Sequence, residues 1–325
     1  MAIAAETILA RVEFARRIHE KLRRELGPTI LSLLGEPDVV EIMLNPDGQL
    51  WVERLGQPME SVGEMNLSQA EALMATVASG LNTVITRENP ILECELPLDG
   101  SRFEALIPPV VSTPVFTIRK KASKVFTLED YVQSNIMTTQ QKQVLEAAIE
   151  ARKNILIVGG TGSGKTTLTN AVIAHITKSS PDHRLIIIED TAEIQCQAKN
   201  AVILRATDQV DMLRLLKATM RLRPDRILVG EVRGLEALTL LKAWNTGHPG
   251  GVCTVHANSA LSGLIRLEQL VGEATQTPMK ALIGESVDMV VSVEKTANYR
   301  RVSDMIAVQG YKDGSYEITR EWGGK

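Results

Sequence analysis

The sequence predicts an α/β protein in two parts: a smaller α+β amino-terminal domain over residues 1–120, and a larger domain over 138–325 with a mostly parallel sheet. Residues 121–137 are expected to link them. Three observations carry this. A chain of 325 residues is long enough for two cores. From Thr138 onward, short apolar runs alternate with helical patterns, as parallel strands joined by helices require. One strand-to-helix junction in that part is the glycine-rich run Gly159-Gly160-Thr161-Gly162-Ser163-Gly164-Lys165-Thr166-Thr167.

In chain order, residues 7–26 form a helical pattern. Ile8, Val12, Ala15, Ile18, Leu22 and Leu26 recur near helical spacing, and Gly27-Pro28 is expected to end it. Arg16, Arg17, Lys21, Arg23 and Arg24 lie on its polar side, but Glu6, Glu13, Glu20 and Glu25 dilute them. This favours a helix packed on its own domain over a lipid-binding one. Strands at 39–44 and 49–54 flank Asn45-Pro46-Asp47-Gly48, a hairpin turn. Residues 67–80 read as a helix with Ser68 as cap, Glu71 three residues on and Gly80 as stop. Residues 92–106 read as strands broken at Asp99-Gly100, and 115–119 as another.

In the second part, strands are expected at 155–158, 185–188, 202–204, 227–229 and 251–255. Helices are expected at 167–176, 210–222 and 235–245. Later strands fall at 287–293, 302–309 and 316–320, with Asp313-Gly314 marking a last hairpin.

The glycine-rich run fits the spacing G-x-x-x-x-G-K-[ST], after a strand and before a helix, the setting a phosphate-binding loop needs. Gly159, Gly160, Gly162 and Gly164, with Thr161 and Ser163, would let successive backbone N–H groups converge on one anion. The helix behind, beginning near Thr167, adds its positive end. Lys165 would reach the outer phosphates of ATP, and the Thr166 hydroxyl would hold Mg²⁺.

Two buried-looking strands end in carboxylates. Arg226-Ile227-Leu228-Val229-Gly230-Glu231 presents Glu231, and Leu185-Ile186-Ile187-Ile188-Glu189-Asp190 presents Glu189, with Glu193 following. Carboxyl ends of parallel strands form the ligand edge of open α/β sheets. Either Glu231 or Glu189 could activate water or hold Mg²⁺, directly or through water. For Glu193, a functional and a structural reading are evenly balanced. His256 follows a strand, and an imidazole there could report the outermost phosphate or meet Glu231. His248, in a Gly-Pro turn, has the weaker case. With no third ligand or paired cysteines, the two histidines make no zinc site.

Composition narrows the classes. A net charge of -3 and 3% aromatic residues give neither the basic field nor the stacking platforms of a nucleic-acid motor. Direct nucleic-acid binding is therefore not expected. Cys94, Cys196 and Cys253 are far apart and odd in number, as in a reduced, cytoplasmic protein. No apolar run reaches membrane-span length, and no leader pattern opens the chain.

The four stretches around Gly159, Glu189, Glu231 and His256 resemble, in order, the nucleotide-binding loop, aspartate box, second acidic strand and histidine box of the secretion traffic ATPases. Arg102-Phe103, Ile107-Pro108-Pro109-Val110 and Phe116-Thr117-Ile118-Arg119-Lys120 resemble amino-terminal elements of that family. The single small domain before the motor, and the lack of paired-cysteine zinc motifs after it, resemble the type IV secretion branch. The resemblance implies a RecA-like P-loop motor that hydrolyses ATP with Mg²⁺. It also implies a homohexameric ring, inner-membrane components of a secretion or conjugation machine as partners, and a place in the cytoplasm or on the inner face of its membrane. In such a ring arginines stabilise phosphate charge. Arg119 and Arg102 are the amino-terminal candidates; Arg205, Arg221, Arg223 and Arg233 are the others. A RecA-like motor that translocates nucleic acid is the alternative.

Overall fold

A computed structural model describes residues 2–121, 125–207, 209–296 and 299–323. The chain divides into two compact units, Met1–Lys124 and Val125–Lys325. Residues 122–124, part of the expected linker, lie outside the described residues.

The first unit opens with α1 (Ala2–Gly35), bent at Gly27, whose φ is 73°. Gly27-Pro28 is expected to stop the helix, yet helix resumes beyond it. Glycine takes the left-handed bend without steric cost, and Pro28 suits the first turn of the resumed helix. Strands β1 (Val39–Leu44), β2 (Gln49–Arg54) and β3 (Glu60–Glu64) are followed by α2 (Leu67–Gly80), then β4 (Ile91–Glu95), β5 (Arg102–Leu106) and β6 (Val115–Arg119). They form one six-stranded sheet in the order β3-β2-β1-β6-β5-β4, antiparallel at every pairing. Alternate residues point inward, so Ile42, Val52, Phe103, Phe116 and Ile118 meet Leu22, Leu26 and Ile30 of α1 and Leu73 and Met74 of α2 in one core. The α2 cap is Asn66 rather than Ser68: its side-chain oxygen accepts from the Ser68 N–H at 2.9 Å. Strand β3 (Glu-Ser-Val-Gly-Glu) was not legible, because an exposed edge strand needs no apolar alternation.

The second unit begins with α3 (Leu128–Gln133), inside the stretch expected to be linker. Thr127 and Asp130 close a capping box there, and Leu128 and Tyr131 are buried. There follow α4 (Thr139–Glu150), β7 (Ile155–Gly159), α5 (Lys165–Ser179), β8 (Leu185–Glu189), β9 (Ala201–Arg205), α6 (Met212–Thr219), β10 (Arg226–Val229), α7 (Glu236–Asn245) and β11 (Val252–His256). Helices α8 (Ala260–Ala274) and α9 (Lys280–Ser286), neither anticipated, precede β12 (Met289–Lys295), β13 (Arg300–Lys312) and β14 (Ser315–Gly323). The sheet runs β14-β13-β12-β7-β11-β10-β8-β9. It is mixed: β12 through β9 are parallel, while β13 and β14 add antiparallel strands beyond β12.

Strands β7, β8 and β10 are buried at every residue, the pattern of a sheet covered on both faces. Helix α6 is shorter than residues 210–222 because Asp211 caps it, its carboxylate accepting from the Arg214 N–H at 2.7 Å. It ends before Arg223, which turns to a φ of 53°. No helix among the described residues is long and apolar enough to cross a membrane.

Candidate active site

Parallel pairing sets the carboxyl ends of β7, β8, β10 and β11 along one sheet edge. From that edge rise the Gly159–Thr166 turn, the Glu189–Ile194 segment, Glu231 and His256. Strand β8 follows β7 in the chain but lies beyond β11 and β10 in the sheet. Such a change of winding direction opens a crevice for ligands.

The turn after β7 is glycine-rich for steric reasons. A Cβ on Gly159 would sit 2.3 Å from the Val293 carbonyl oxygen and 2.4 Å from Ser163 Oγ. Gly164 caps α5 with a φ of 102°, where a side chain would be strained. Gly160 and Gly162 face open space, leaving a cradle. The Ser163 hydroxyl is buried there without a hydrogen-bond partner. An orphaned hydroxyl, open glycines and the amino end of α5 together fit a phosphate group. Thr167, in the first turn of α5, completes the segment.

Lys165 Nζ donates to the loop's own carbonyls, Gly159 O at 3.0 Å and Gly160 O at 3.1 Å. It also lies 3.2 Å from His256 Nδ1. An ammonium has only donors, so Nδ1 accepts and the imidazole proton sits on Nε2. That nitrogen approaches Glu231 Oε1 at 2.8 Å, a contact short of an aligned hydrogen bond. Burial, and then the Lys165 charge, hold the His256 pKa below its ordinary value against the opposing pull of Glu231. His256 is therefore neutral near neutral pH.

Glu189 is buried, and Oε2 accepts the N–H groups of Glu193 at 3.1 Å and Ile194 at 2.9 Å. Burial raises its pKa, while those N–H groups and Arg205, 3.7 Å away, oppose the rise. Glu189 thus folds the following loop back over the site. What the loop delivers is Glu193: Thr166 Oγ1 donates to Glu193 Oε2 at 3.1 Å. Asn170, one helical turn after Thr166, fixes the loop from below by donating to Glu193 O at 3.1 Å and accepting from the Gln195 N–H at 2.9 Å. The direct hydrogen bond to Thr166 belongs to Glu193, while Glu189 meets the backbone of the loop that carries it.

Arg233 joins two loops. Its Nη1 lies 2.7 Å from Asp190 Oδ2, and its Nη2 donates to Glu231 Oε2 at 2.7 Å. Arg205 lies beside Glu189. Arg221 and Arg223 precede β10, and His248 precedes β11, so all three lie towards the amino edge of the sheet, away from His256. In the first unit, Arg102 and Arg119 are directly opposite on β5 and β6. Arg119 Nε is 3.7 Å from Glu41.

Asn170 and the delivery role of Glu189 escaped sequence reasoning. The first had a signal in its four-residue spacing from Thr166; the second depends on which way a loop turns.

A mixed α/β sheet with a glycine cradle, a lysine, a threonine and converging carboxylates at its carboxyl edge makes this a candidate nucleotide-binding site. The chain belongs to the Type II/IV secretion system protein family, whose model matches residues 28–301. It is 57% identical over 302 residues to the probable conjugal transfer protein TrbB of Sinorhizobium fredii, covering 93% of both chains. It is 34% identical to the type IV secretion system protein PtlH of Bordetella pertussis, over 86% of this chain and 92% of that one. The solved structure of the Legionella pneumophila ATPase DotB superposes with a TM-score of 0.64 at 17% identity, covering 85% of this chain and 79% of that one, a likeness of fold.

Proposed function

We propose that this chain is the ATP-hydrolysing motor of a type IV secretion or conjugative transfer system. Its second unit is a RecA-like P-loop domain, and it works as a homohexameric ring at the cytoplasmic face of the inner membrane, against membrane components of that machine. The observation that carries the reading is the meeting of Lys165, Thr166, Glu193, Glu231 and His256 around one glycine cradle. Membership of the secretion family and the likeness to TrbB and PtlH supply the setting.

The roles follow from the contacts. The Gly159–Thr166 backbone and the Ser163 hydroxyl bind phosphate oxygens. Lys165 exchanges the carbonyls of Gly159 and Gly160 for those oxygens, and its charge offsets the negative charge that grows as the terminal bond breaks. Thr166 and the carboxylates of Glu193 and Glu231 would hold Mg²⁺, some through water. When bound, the ion neutralises the outer phosphates. Glu193 takes a proton from the attacking water, whose oxygen bonds to phosphorus as the bond to ADP breaks. Glu189 and Asn170 hold Glu193 in place, and Arg233 holds Glu231. His256, neutral and shared between Lys165 and Glu231, registers where Lys165 is engaged.

Loss of the terminal phosphate would release contacts that join moving parts, a ligand-biased switch of the kind a motor needs. Arg119 and Arg102 are proposed as further nucleotide contacts. Phosphate release by the purified chain, with complementation of a transfer-deficient strain, tests the reading. The variant Lys165→Ala should fail both. Hydrolysis stimulated strongly by single-stranded DNA would favour a nucleic-acid-translocating motor instead.

A further inference from the structure

Beside the phosphate turn lies a cleft of about 500 Å³ with Gly160, Thr161, His256 and Asn258 on one side. Ser262, Ile265, Arg266 and Gln269 of α8 line the other. Arg233 and Arg205 near this edge are paired with carboxylates. Arg266 is not: among the described residues its guanidinium meets only the neutral Gln269, donating to Oε1 at 3.1 Å. That bond steadies the side chain without neutralising it. Arg266 also lies near enough to His256 for its charge to bear on the imidazole. A half-buried guanidinium without a counter-ion, facing a cleft floored by a phosphate turn, is arranged for an anion that arrives with the ligand.

We infer that Arg266 binds the outermost phosphate of a nucleoside triphosphate held by the Gly159–Thr166 turn, making α8 the element that separates triphosphate from diphosphate. The inference rests on the nucleotide reading and adds a residue to it. The turn and Thr166 grip phosphates common to both ligands, and Lys165 reaches outward from them. Arg266, on the α8 wall of the cleft, adds a contact that only the third phosphate can use. Arg266 is then a specificity-determining residue, with Gln269 setting its direction. Two exposed apolar residues of α8, Leu261 and Ile265, flank it, so a movement of α8 on phosphate loss would reach the surface.

The test is calorimetric titration of the full chain with a non-hydrolysable ATP analogue and with ADP, each with Mg²⁺. One hydrogen-bonded charge is worth about ten- to a hundredfold in affinity. Arg266→Gln should weaken the analogue by that factor and leave ADP within about twofold of wild type. Arg266→Lys should recover part of the loss, since it keeps the charge and loses the fork. Gln269→Ala, which leaves Arg266 in place, should give a smaller loss of the same sign and serves should Arg266→Gln fold poorly.

Equal weakening of both ligands, or of neither, overturns the assignment. So does loss of self-association by sedimentation with nucleotide preference unchanged, which would give the cleft to an acidic side chain of a second copy. Lys165→Ala separates the levels. If it abolishes binding of both ligands while Arg266→Gln changes neither, only the Arg266 assignment falls. If the wild-type chain binds neither ligand, the nucleotide reading falls with it.

Discussion

Thr166 and Glu193, 27 residues apart in sequence, share a hydrogen bond of 3.1 Å at the mouth of the phosphate turn. The threonine is fixed by α5 and the glutamate by a loop that Glu189 and Asn170 hold from two sides. The carboxylate that meets Thr166 is thus carried on a loop rather than on a strand end.

Glu193→Gln should therefore bind nucleotide nearly as wild type and lose turnover by about 10²- to 10⁴-fold, the usual share of a general base. Single-turnover phosphate release beside equilibrium binding measures the two separately. Turnover within a few-fold of wild type would return the role to Glu231.

Glu189→Gln should behave differently. It keeps the shape but weakens the two N–H contacts that fold the Glu193 loop, so turnover falls and the loop opens. Faster amide exchange at Glu193 and Ile194 is the signature of a positioning residue. Lost turnover with unchanged exchange would make Glu189 the base after all.

Gly159→Ala puts a methyl group against the Val293 carbonyl at 2.3 Å, where backbone must move. Nucleotide binding should be lost, with a fall in stability of about 1–3 kcal/mol from overpacking. Calorimetry and denaturant unfolding report the two. Undiminished binding would contradict the close packing of β7 on β12.

Arg226, at the start of β10, is buried, and its partners among the described residues are neutral: it donates to Ile149 O at 3.0 Å, Gly250 O at 3.2 Å, His183 Nδ1 at 3.1 Å and Ser180 Oγ at 3.5 Å. Burial, helped by Arg152, brings its pKa down to about 10. Arg226→Met would orphan these acceptors and should cost about 2–4 kcal/mol, read from the denaturation midpoint.

The pKa of His183 is likewise held low, by burial first and then by Arg226 and Arg152. Between that lowered value and the ordinary ~6.5, the unfolded chain binds more protons than the folded one. The contribution of the neutral ring is complete above ~6.5 and shrinks as pH falls. The unfolding midpoint should drop on acidification from about pH 7 to about pH 5.5, and His183→Asn should flatten that drop. An unchanged slope would contradict the Arg226–His183 contact.

Much of the candidate site's geometry was legible because it is local. The spacing from Gly159 to Thr166, and the apolar strands before Glu189 and Glu231, are short-range patterns set by backbone geometry. The misses are non-local. Glu193 and Glu189 differ only in which way a loop closes, and Asn170 matters only because that loop comes to it. Helix α3 was hidden in a polar stretch although Thr127 and Asp130 spelled its cap. Helix α8 bears Leu264, Leu267, Leu270 and Val271 on its buried face, yet that periodicity went unread, and Arg266 with it. His248 and His256 lie eight residues apart, but a strand between them sends them to different ends of the sheet.

The most direct test of the central claim is steady-state phosphate release from Mg²⁺-ATP by the purified chain, beside Lys165→Ala prepared identically. Sustained release by the wild type, and none above background from the variant, is the predicted result. Equal release from both, or none from a wild-type chain supplied with the proposed membrane partners, would contradict it.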